Sequence, residues 1–285
     1  MTRLKTIVLA GAIAVAAAAA GSAAATTGGV ASVARAGGYS HVVLVIEENY
    51  SGPAIVDGGQ APYLKSLAGQ GEYFPAYRGV SHPSEPNYMA LFSGSTQHTD
   101  GSDNCIKTSA RSIVGEARGS GVSTKGYIEG LSSGNNYACR HDPFSQFRDA
   151  RGSETDFSRF PTNYATLPQL SVVVPNLVND MHDNGISPGD RWAKAHLNAY
   201  AKWAKTHNSL LIVISDESDS DPNYSANQPG ENGNNALAVV AGARVTPGKV
   251  VRSSFDHYSL LRTLEDIFGL GHLGASARAS DMFSA

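Results

Sequence analysis

The sequence predicts an α/β fold with a mainly parallel central sheet and helices on both faces, and three observations carry that prediction. The runs 41–46, 171–174, 209–215 and 236–241 are continuously apolar inside their ends, the first rich in β-branched residues, instead of alternating, as strands buried on both sides are. Segments with helical spacing lie between them, so strand and helix alternate along the chain. The first three runs lead into clusters of acids, amides and histidine, at the strand ends where open parallel sheets bind ligands.

In chain order, residues 1–25 have the layout of an export signal. Arg3 and Lys5 precede an alanine-rich apolar stretch at 7–20, and Ser22-Ala23-Ala24-Ala25 offers a small-residue cleavage site. That stretch is too short and too rich in alanine for a membrane span. Residues 26–38, rich in Gly, Ala and Ser, read as a flexible leader, and 39–285 as one domain without repeat or linker. A secreted chain with no transmembrane segment is expected.

The first strand, His41-Val42-Val43-Leu44-Val45-Ile46, ends in Glu47-Glu48-Asn49. Residues 61–71, with Leu64 and Leu67 on one side, read as a helix closed by glycine. Next comes Ser81-His82-Pro83-Ser84-Glu85-Pro86-Asn87-Tyr88, in which two prolines stiffen the turn around Ser84 ahead of the helix-like Met89-Ala90-Leu91-Phe92. A helix at 112–121 and a short strand at 123–128 follow. The strand at 171–174 runs into a loop, 176–189, that carries Asn179-Asp180-Met181-His182-Asp183. Residues 190–206 read as an amphipathic helix with Trp192, Ala195, Ala199 and Trp203 on its apolar face. The strand at 209–215 delivers Asp216-Glu217, a polar loop spans 218–235, and a last helix at 257–268 is stopped by Gly269.

The chain carries 22 Lys+Arg and 25 Asp+Glu, a formal charge of −3, and loss of Arg3 and Lys5 with the signal makes it more acidic still. No basic stripe is present, so nucleic acid is not an expected partner. The two cysteines, Cys105 and Cys139, lie in the exported part, where a disulfide is the natural state and two buried free thiols the alternative. Such a bridge closes a loop of about 35 residues, for about 3–4 kcal/mol in the chain-entropy model.

A hydroxyl held in a stiff turn just before a helix lies where anions are favoured, which suits Ser84 as a nucleophile toward phosphorus; the competing reading is a helix-capping serine. Glu48 and Asn49 after the first strand, and Asp216 and Glu217 after the third, supply oxygen ligands suited to a hard divalent cation. The competing reading of Asp216-Glu217 is the start of a solvated acidic loop. Without clustered thiols, a structural zinc site is disfavoured.

At this point the chain resembles the bacterial phosphoesterase family that joins acid phosphatases and the non-haemolytic type of phospholipase C, distant members of the alkaline phosphatase superfamily. The matching pieces, in the family's order, are Val45-Ile46-Glu47-Glu48-Asn49, His82-Pro83-Ser84-Glu85-Pro86-Asn87-Tyr88, Arg140-His141-Asp142-Pro143-Phe144, Val174-Pro175-Asn176 with Asn179-Asp180-Met181-His182-Asp183, Ile214-Ser215-Asp216-Glu217-Ser218 and His257-Tyr258-Ser259-Leu260-Leu261-Arg262-Thr263. The small secreted acid phosphatases, including the type acting on phosphoinositides, are nearest in length.

The resemblance implies an alkaline-phosphatase-like domain over 39–285 and one divalent ion, Mg, Ca, Mn, Zn or Fe, held by Glu48, Asn49, Asp216 and Glu217. Ser84 would be the nucleophile, Asn87 would bind a phosphoryl oxygen, and His141 and His182 would stabilise the transferring group or protonate the leaving alcohol. From the residues themselves, Asp180 can turn His182 toward substrate, and His257 either supports the site or packs on the core at its helix start. Two departures stand out: Asp142 where the family usually has Asn, a possible extra charge near the pocket, and serine where many members use threonine. The implied substrates are small phosphate monoesters or a phosphoinositide head group. Diester cleavage of phospholipid head groups is the alternative in the same chemistry, and an inactive phosphate- or cation-binding protein the alternative outside it.

Overall fold

The computed structural model describes residues 1–2, 38–218 and 234–284. The expected signal and leader fall outside these residues apart from 1, 2 and 38, as does the loop over 219–233. The chain divides into units Met1–Ala31 and Ser32–Ala285, and the elements below belong to the second. In order they are β1 (His41–Glu47), α1 (Gly52–Val56), α2 (Pro62–Gln70), β2 (Glu72–Tyr73), β3 (Tyr77–Arg78), α3 (Ser84–Ser93), α4 (Ile113–Gly119), β4 (Thr124–Ile128), α5 (Pro143–Gln146), β5 (Glu154–Asp156), β6 (Leu170–Val174), α6 (Ile186–Ala204), β7 (Ser209–Ser215), β8 (Ala238–Gly242), β9 (Lys249–Val250), β10 (Phe255–Asp256) and α7 (His257–Phe268).

Eight strands form one sheet in the order β5-β4-β6-β1-β7-β8-β2-β9, while β10 and β3 pair separately. The block β5-β4-β6-β1-β7 is parallel, and β8 runs antiparallel to both its neighbours. The unalternating runs of the sequence are thus central strands. Val42, Leu44 and Ile46 of β1 pack with Met89, Phe92, Leu261 and Leu264 of α3 and α7. Val43 and Val45 point the other way, onto Leu64 of α2 and Trp192, Leu197 and Tyr200 of α6. Burying each large side chain contributes about 1.5–3 kcal/mol, so both faces of β1 hold the sheet in register. Glu47 lies level with Ser215 across β1 and β7, and Asp216 N–H donates to Glu47 O at 3.0 Å. Glu48 and Asp216 therefore leave the same sheet edge side by side.

Two helices differ from expectation, and five short strands join them. α3 begins at Ser84 itself with Pro83 as N-cap, so Ser84 is the first helical residue and not part of a preceding turn. Pro86 is tolerated there because first-turn N–H groups have no partner within the helix. α6 begins four residues early, at Ile186, since Gly185 (φ +76°) turns the chain into it and Pro188 again falls in a first turn. Its buried side is Trp192, Ala193, Leu197, Tyr200, Ala201 and Ala204, whereas Ala195 and Ala199 are exposed. A neighbouring alanine placed the apolar stripe about a quarter-turn off. The short strands β2, β3, β5, β9 and β10 have too few residues to show a period in sequence.

Among the described residues no helix is long and apolar enough to cross a membrane.

Candidate active site

The site lies off the carboxyl ends of β1, β6 and β7, under the start of α3. Ser84 Oγ is 3.0 Å from Glu48 Oε2 and 3.2 Å from Glu217 Oε1, and the residue is 3% exposed. Both carboxylates come from strand ends, so the sheet edge and one helix start make the meeting. Asp216 and Glu217 are buried, which removes the reading of a solvated acidic loop. Asn49 enters through its backbone: at φ +62°, a conformation asparagine tolerates, its N–H donates to Asp216 Oδ1 at 3.4 Å.

Tyr88, one turn after Ser84 on α3, donates its hydroxyl to Glu48 Oε1 at 2.7 Å. Its ring stacks on His141 with centroids 5.2 Å apart and planes 10° from parallel. His141 Nε2 lies 3.3 Å from Glu48 Oε1 and Nδ1 lies 3.6 Å from Asp180 Oδ2. His82 Nδ1 pairs with Glu217 Oε2. Glu48, His141 and Asp180, all buried, can each bring one ligand atom within 4.8 Å of the others.

Burial pushes the Glu48 carboxyl well above its usual range, and Asp216 and Asp180 push it further. Asp216 is raised by burial and then by Glu217. Asp180 is raised by burial, with Asp216 adding to it, to about 8. Burial, helped by Arg140 and His182, holds the His141 imidazole well below its ordinary value and hence neutral. Asp180 Oδ2, Asp216 Oδ2 and His141 Nε2 are buried without a hydrogen-bond partner. Crowded acids with orphaned oxygens, beside a neutral imidazole with an orphaned nitrogen, fit a divalent cation, because buried charge otherwise goes uncompensated. This donor set differs from the expected one, bringing in His141 and Asp180 where the sequence put a pocket histidine and a supporting acid.

Asp180 and His182 are held by the loop beneath them. Glu129, just past β4, accepts from Asn176 N at 3.0 Å, Asn179 Nδ2 at 3.0 and 3.1 Å, and Trp192 Nε1 at 3.2 Å. Met181 is buried at φ +83°, against Gly189 of α6, where an added Cβ would stand 2.4 Å from Met181 Cγ. Asp180 Oδ1 accepts from His182 N at 2.8 Å. His182 Nδ1 lies 2.7 Å from Asp183 Oδ1, and Arg140 Nη2 reaches Nε2 at 3.2 Å. Arg140 can only donate, so in this contact Nε2 is the acceptor while Nδ1 faces the Asp183 carboxylate. Its ring centroid is 5.9 Å from that of His141.

Asn87 is placed otherwise than expected. Its Oδ1 accepts from Val80 N and Ser81 N at 2.8 and 3.1 Å, and its Nδ2 donates to Ser81 O and Pro83 O at 2.9 and 3.3 Å. The amide braces the approach to α3 instead of reaching toward a phosphoryl oxygen. The helix end also offers an anion fewer donors than the sequence suggests, because Glu85 N–H is taken by Asp103 Oδ1 at 2.9 Å and Pro86 has none. His257, lowered by burial to about 4, lies at the start of α7, with Nε2 on the Asp216 carbonyl and Nδ1 2.6 Å from Tyr77 OH. It positions the Asp216 backbone. Asp142 is buried with its carboxylate taken by Tyr137 OH (2.7 Å) and Ser145 N (3.2 Å), so it caps α5 and brings no free charge to the pocket.

Sequence reasoning missed Tyr88, His82, Glu85 and Glu129. Tyr88 was within reach, since i, i+4 spacing from Ser84 puts both on one helix face once the helix starts at Ser84. Glu85 is fully buried and accepts from Cys105 N, Ile106 N and Gln146 Nε2 at 3.1, 2.7 and 2.7 Å. It ties α3 to the segment carrying Cys105, which is disulfide-bonded to Cys139 with Cα atoms 5.6 Å apart. Cys139 in turn opens the turn Cys139–His141.

The fold recurs in solved structures. A protein in the alkaline phosphatase superfamily from Vibrio parahaemolyticus matches with a TM-score of 0.60 at 14% identity, over 86% of this chain and 70% of that one. The architecture is alkaline-phosphatase-like, and family and relatives make the chain a phosphoric monoester hydrolase. The Phosphoesterase family model matches residues 54–271, and the chain belongs to that family. A phosphatidylinositol-3-phosphatase of Mycobacterium tuberculosis is 39% identical over 252 residues, covering 85% of this chain and 81% of its own. An acid phosphatase of Aspergillus fumigatus is 25% identical over 237 residues, 74% of this chain, and this chain spans about half (51%) of its length.

Proposed function

We propose that the protein is a secreted, metal-dependent phosphatase that hydrolyses phosphate monoesters through a phosphoserine at Ser84. The observation that carries this reading is Ser84 Oγ at the first position of α3, within 3.2 Å of both Glu48 and Glu217. Glu48 and Glu217, each within hydrogen-bond reach of Oγ, would take up the proton that Ser84 loses. Oγ then attacks phosphorus, the Oγ–P bond forms and the ester P–O bond breaks. The leaving oxygen takes the proton that the carboxylate received from Ser84, so the alcohol departs neutral; partly exposed His182 lines the more open edge of the site, while buried His141 belongs with the acids. Water then cleaves the phosphoserine, releasing phosphate and restoring the hydroxyl.

Glu48, Asp180, Asp216, Glu217 and His141 are the residues that would hold a divalent ion, which would supply positive charge for the alkoxide and phosphoryl oxygens. Support for monoesters, phosphoinositides among them, comes from the names of the relatives. Support for secretion comes from the signal-like residues 1–25.

Ser84→Ala tests the reading. It should remove p-nitrophenyl phosphate turnover by at least roughly 1,000-fold while circular dichroism stays native. Acid-quenched wild type should carry a phosphoryl mass increment on the peptide containing Ser84. Retained turnover in Ser84→Ala, or label elsewhere, refutes it.

A further inference from the structure

Beside the site, on the α6 face of the sheet, lies a second cavity of about 490 Å³ that the reaction above does not use. Its walls are aromatic: Phe157 and Phe160 from the segment after β5, Tyr164 beyond them, and His196 from α6. Phe157 packs on Phe160 at 5.6 Å and on His196 at 5.2 Å, and Phe160 stands 6.3 Å from Tyr164. Phe160 and Tyr164 are only half-buried, so part of each ring is open to a ligand.

The wall carries two carboxylates beside the hydroxyls of Ser158 and Thr162 and the His196 ring, and no lysine or arginine. Glu129 and Asp156 both line the cavity, and their hydrogen-bond partners are neutral: Asn176 N, Asn179 Nδ2 and Trp192 Nε1 for the former, Ser132 N and Ser158 N for the latter. Among the described residues neither meets a lysine or arginine. Arg159, Arg191 and Lys194 are exposed nearby, and none of them lines the cavity. Backbone N–H donation from Ser132, joined by Ser158, holds Asp156 below the usual carboxylate range, so it stays ionised.

We propose that this cavity is a binding site for a small organic cation of the alkylammonium class, held over the faces of Phe160 and Tyr164 by the negative field of Glu129 and Asp156. Ring faces carry negative charge density and attract a weakly hydrated cation, and two carboxylates without a lysine or arginine partner among the described residues add to that attraction. The same field disfavours phosphate, so the site is distinct in chemistry from the one at Ser84. It touches that site through one group, since the Glu129 carboxylate also holds Asn176 and Asn179 ahead of Asp180.

The test is calorimetric titration of the full chain with tetramethylammonium chloride, beside neopentyl alcohol as an uncharged molecule of similar shape and myo-inositol as a polyol. Tetramethylammonium should bind with saturable, millimolar-range affinity, and neopentyl alcohol at least roughly fivefold more weakly. Phe160→Leu should weaken the cation by roughly three- to tenfold and Phe160→Tyr should restore it, with p-nitrophenyl phosphate turnover unchanged in both. Equal binding of the alcohol would make the cavity an apolar slot, and preference for myo-inositol a polyol site; either overturns the proposal. So does cation binding indifferent to Phe160→Leu, or no saturable binding to wild type. The ligand comparison uses wild type alone, so it decides even where a variant fails to fold.

Discussion

Removing any bound metal should leave a protein that loses stability as pH rises above neutrality. Asp180 is raised from an ordinary 3.8 to about 8 by burial and Asp216. An acid whose folded pKa exceeds its unfolded one binds more protons when folded, so its folding contribution is greatest at low pH and declines as pH climbs through the folded value. For Asp180 alone the loss reaches about 4 kcal/mol by pH 7, with about 1 kcal/mol more between pH 7 and 8. Glu48 and Asp216 carry the same sign. The buried histidines act oppositely: His257 is lowered to about 4 and His141 is lowered too, so they add stability as pH rises, but only up to the ordinary histidine range near 6.5. The interval from pH 7 to 8 isolates the acids. Urea unfolding with chelator present should show about 1 kcal/mol or more lost across it, equal to a fall in Tm of about 2–4 °C for a chain of this size. Asp180→Asn should lessen that slope, leaving the part that Glu48 and Asp216 carry, and Mn, Mg or Zn should restore more stability at pH 8 than at pH 6. A chelated wild type equally stable at pH 7 and 8 would refute the claim that these acids are crowded without compensation.

Three other substitutions have defined outcomes. Glu85→Gln presents an NH₂ where two backbone N–H groups and Gln146 now donate, and should cost about 1–3 kcal/mol in urea unfolding. Gly189→Ala sets a methyl 2.4 Å from Met181 Cγ, so despite alanine's better helix propensity, kcat should fall several-fold with less change in Tm, as Asp180 and His182 shift together. Replacing both Cys105 and Cys139 by serine should lower stability by about 3 kcal/mol, read by thermal unfolding against oxidised wild type.

The sheet was legible because unalternating apolar runs have little other use, and Glu48 and Asp216 were legible because they stand where such runs stop. What could not be read was how side chains divide the work. His141 and Asp180 look like loop residues in sequence, and only the packing of the Cys139–His141 turn against Tyr88 brings one ring to Glu48. Asn87 sits in a motif that invites a ligand role, yet the backbone over 80–83 claims its amide first. Glu85 and Glu129 read as surface acids because burial is a property of the assembled chain, not of the residue type. The offset of the α6 stripe has the same origin: alanine is apolar enough to suggest a buried face and small enough to be left outside it.

All ten residues of α3 are buried, so the helix has no wet side. The Ser84 hydroxyl is consequently mounted on a helix packed on every side, like a tool fixed in a vice. Adaptation to new substrates has to come from the loops that face it, because altering the helix means recutting the core.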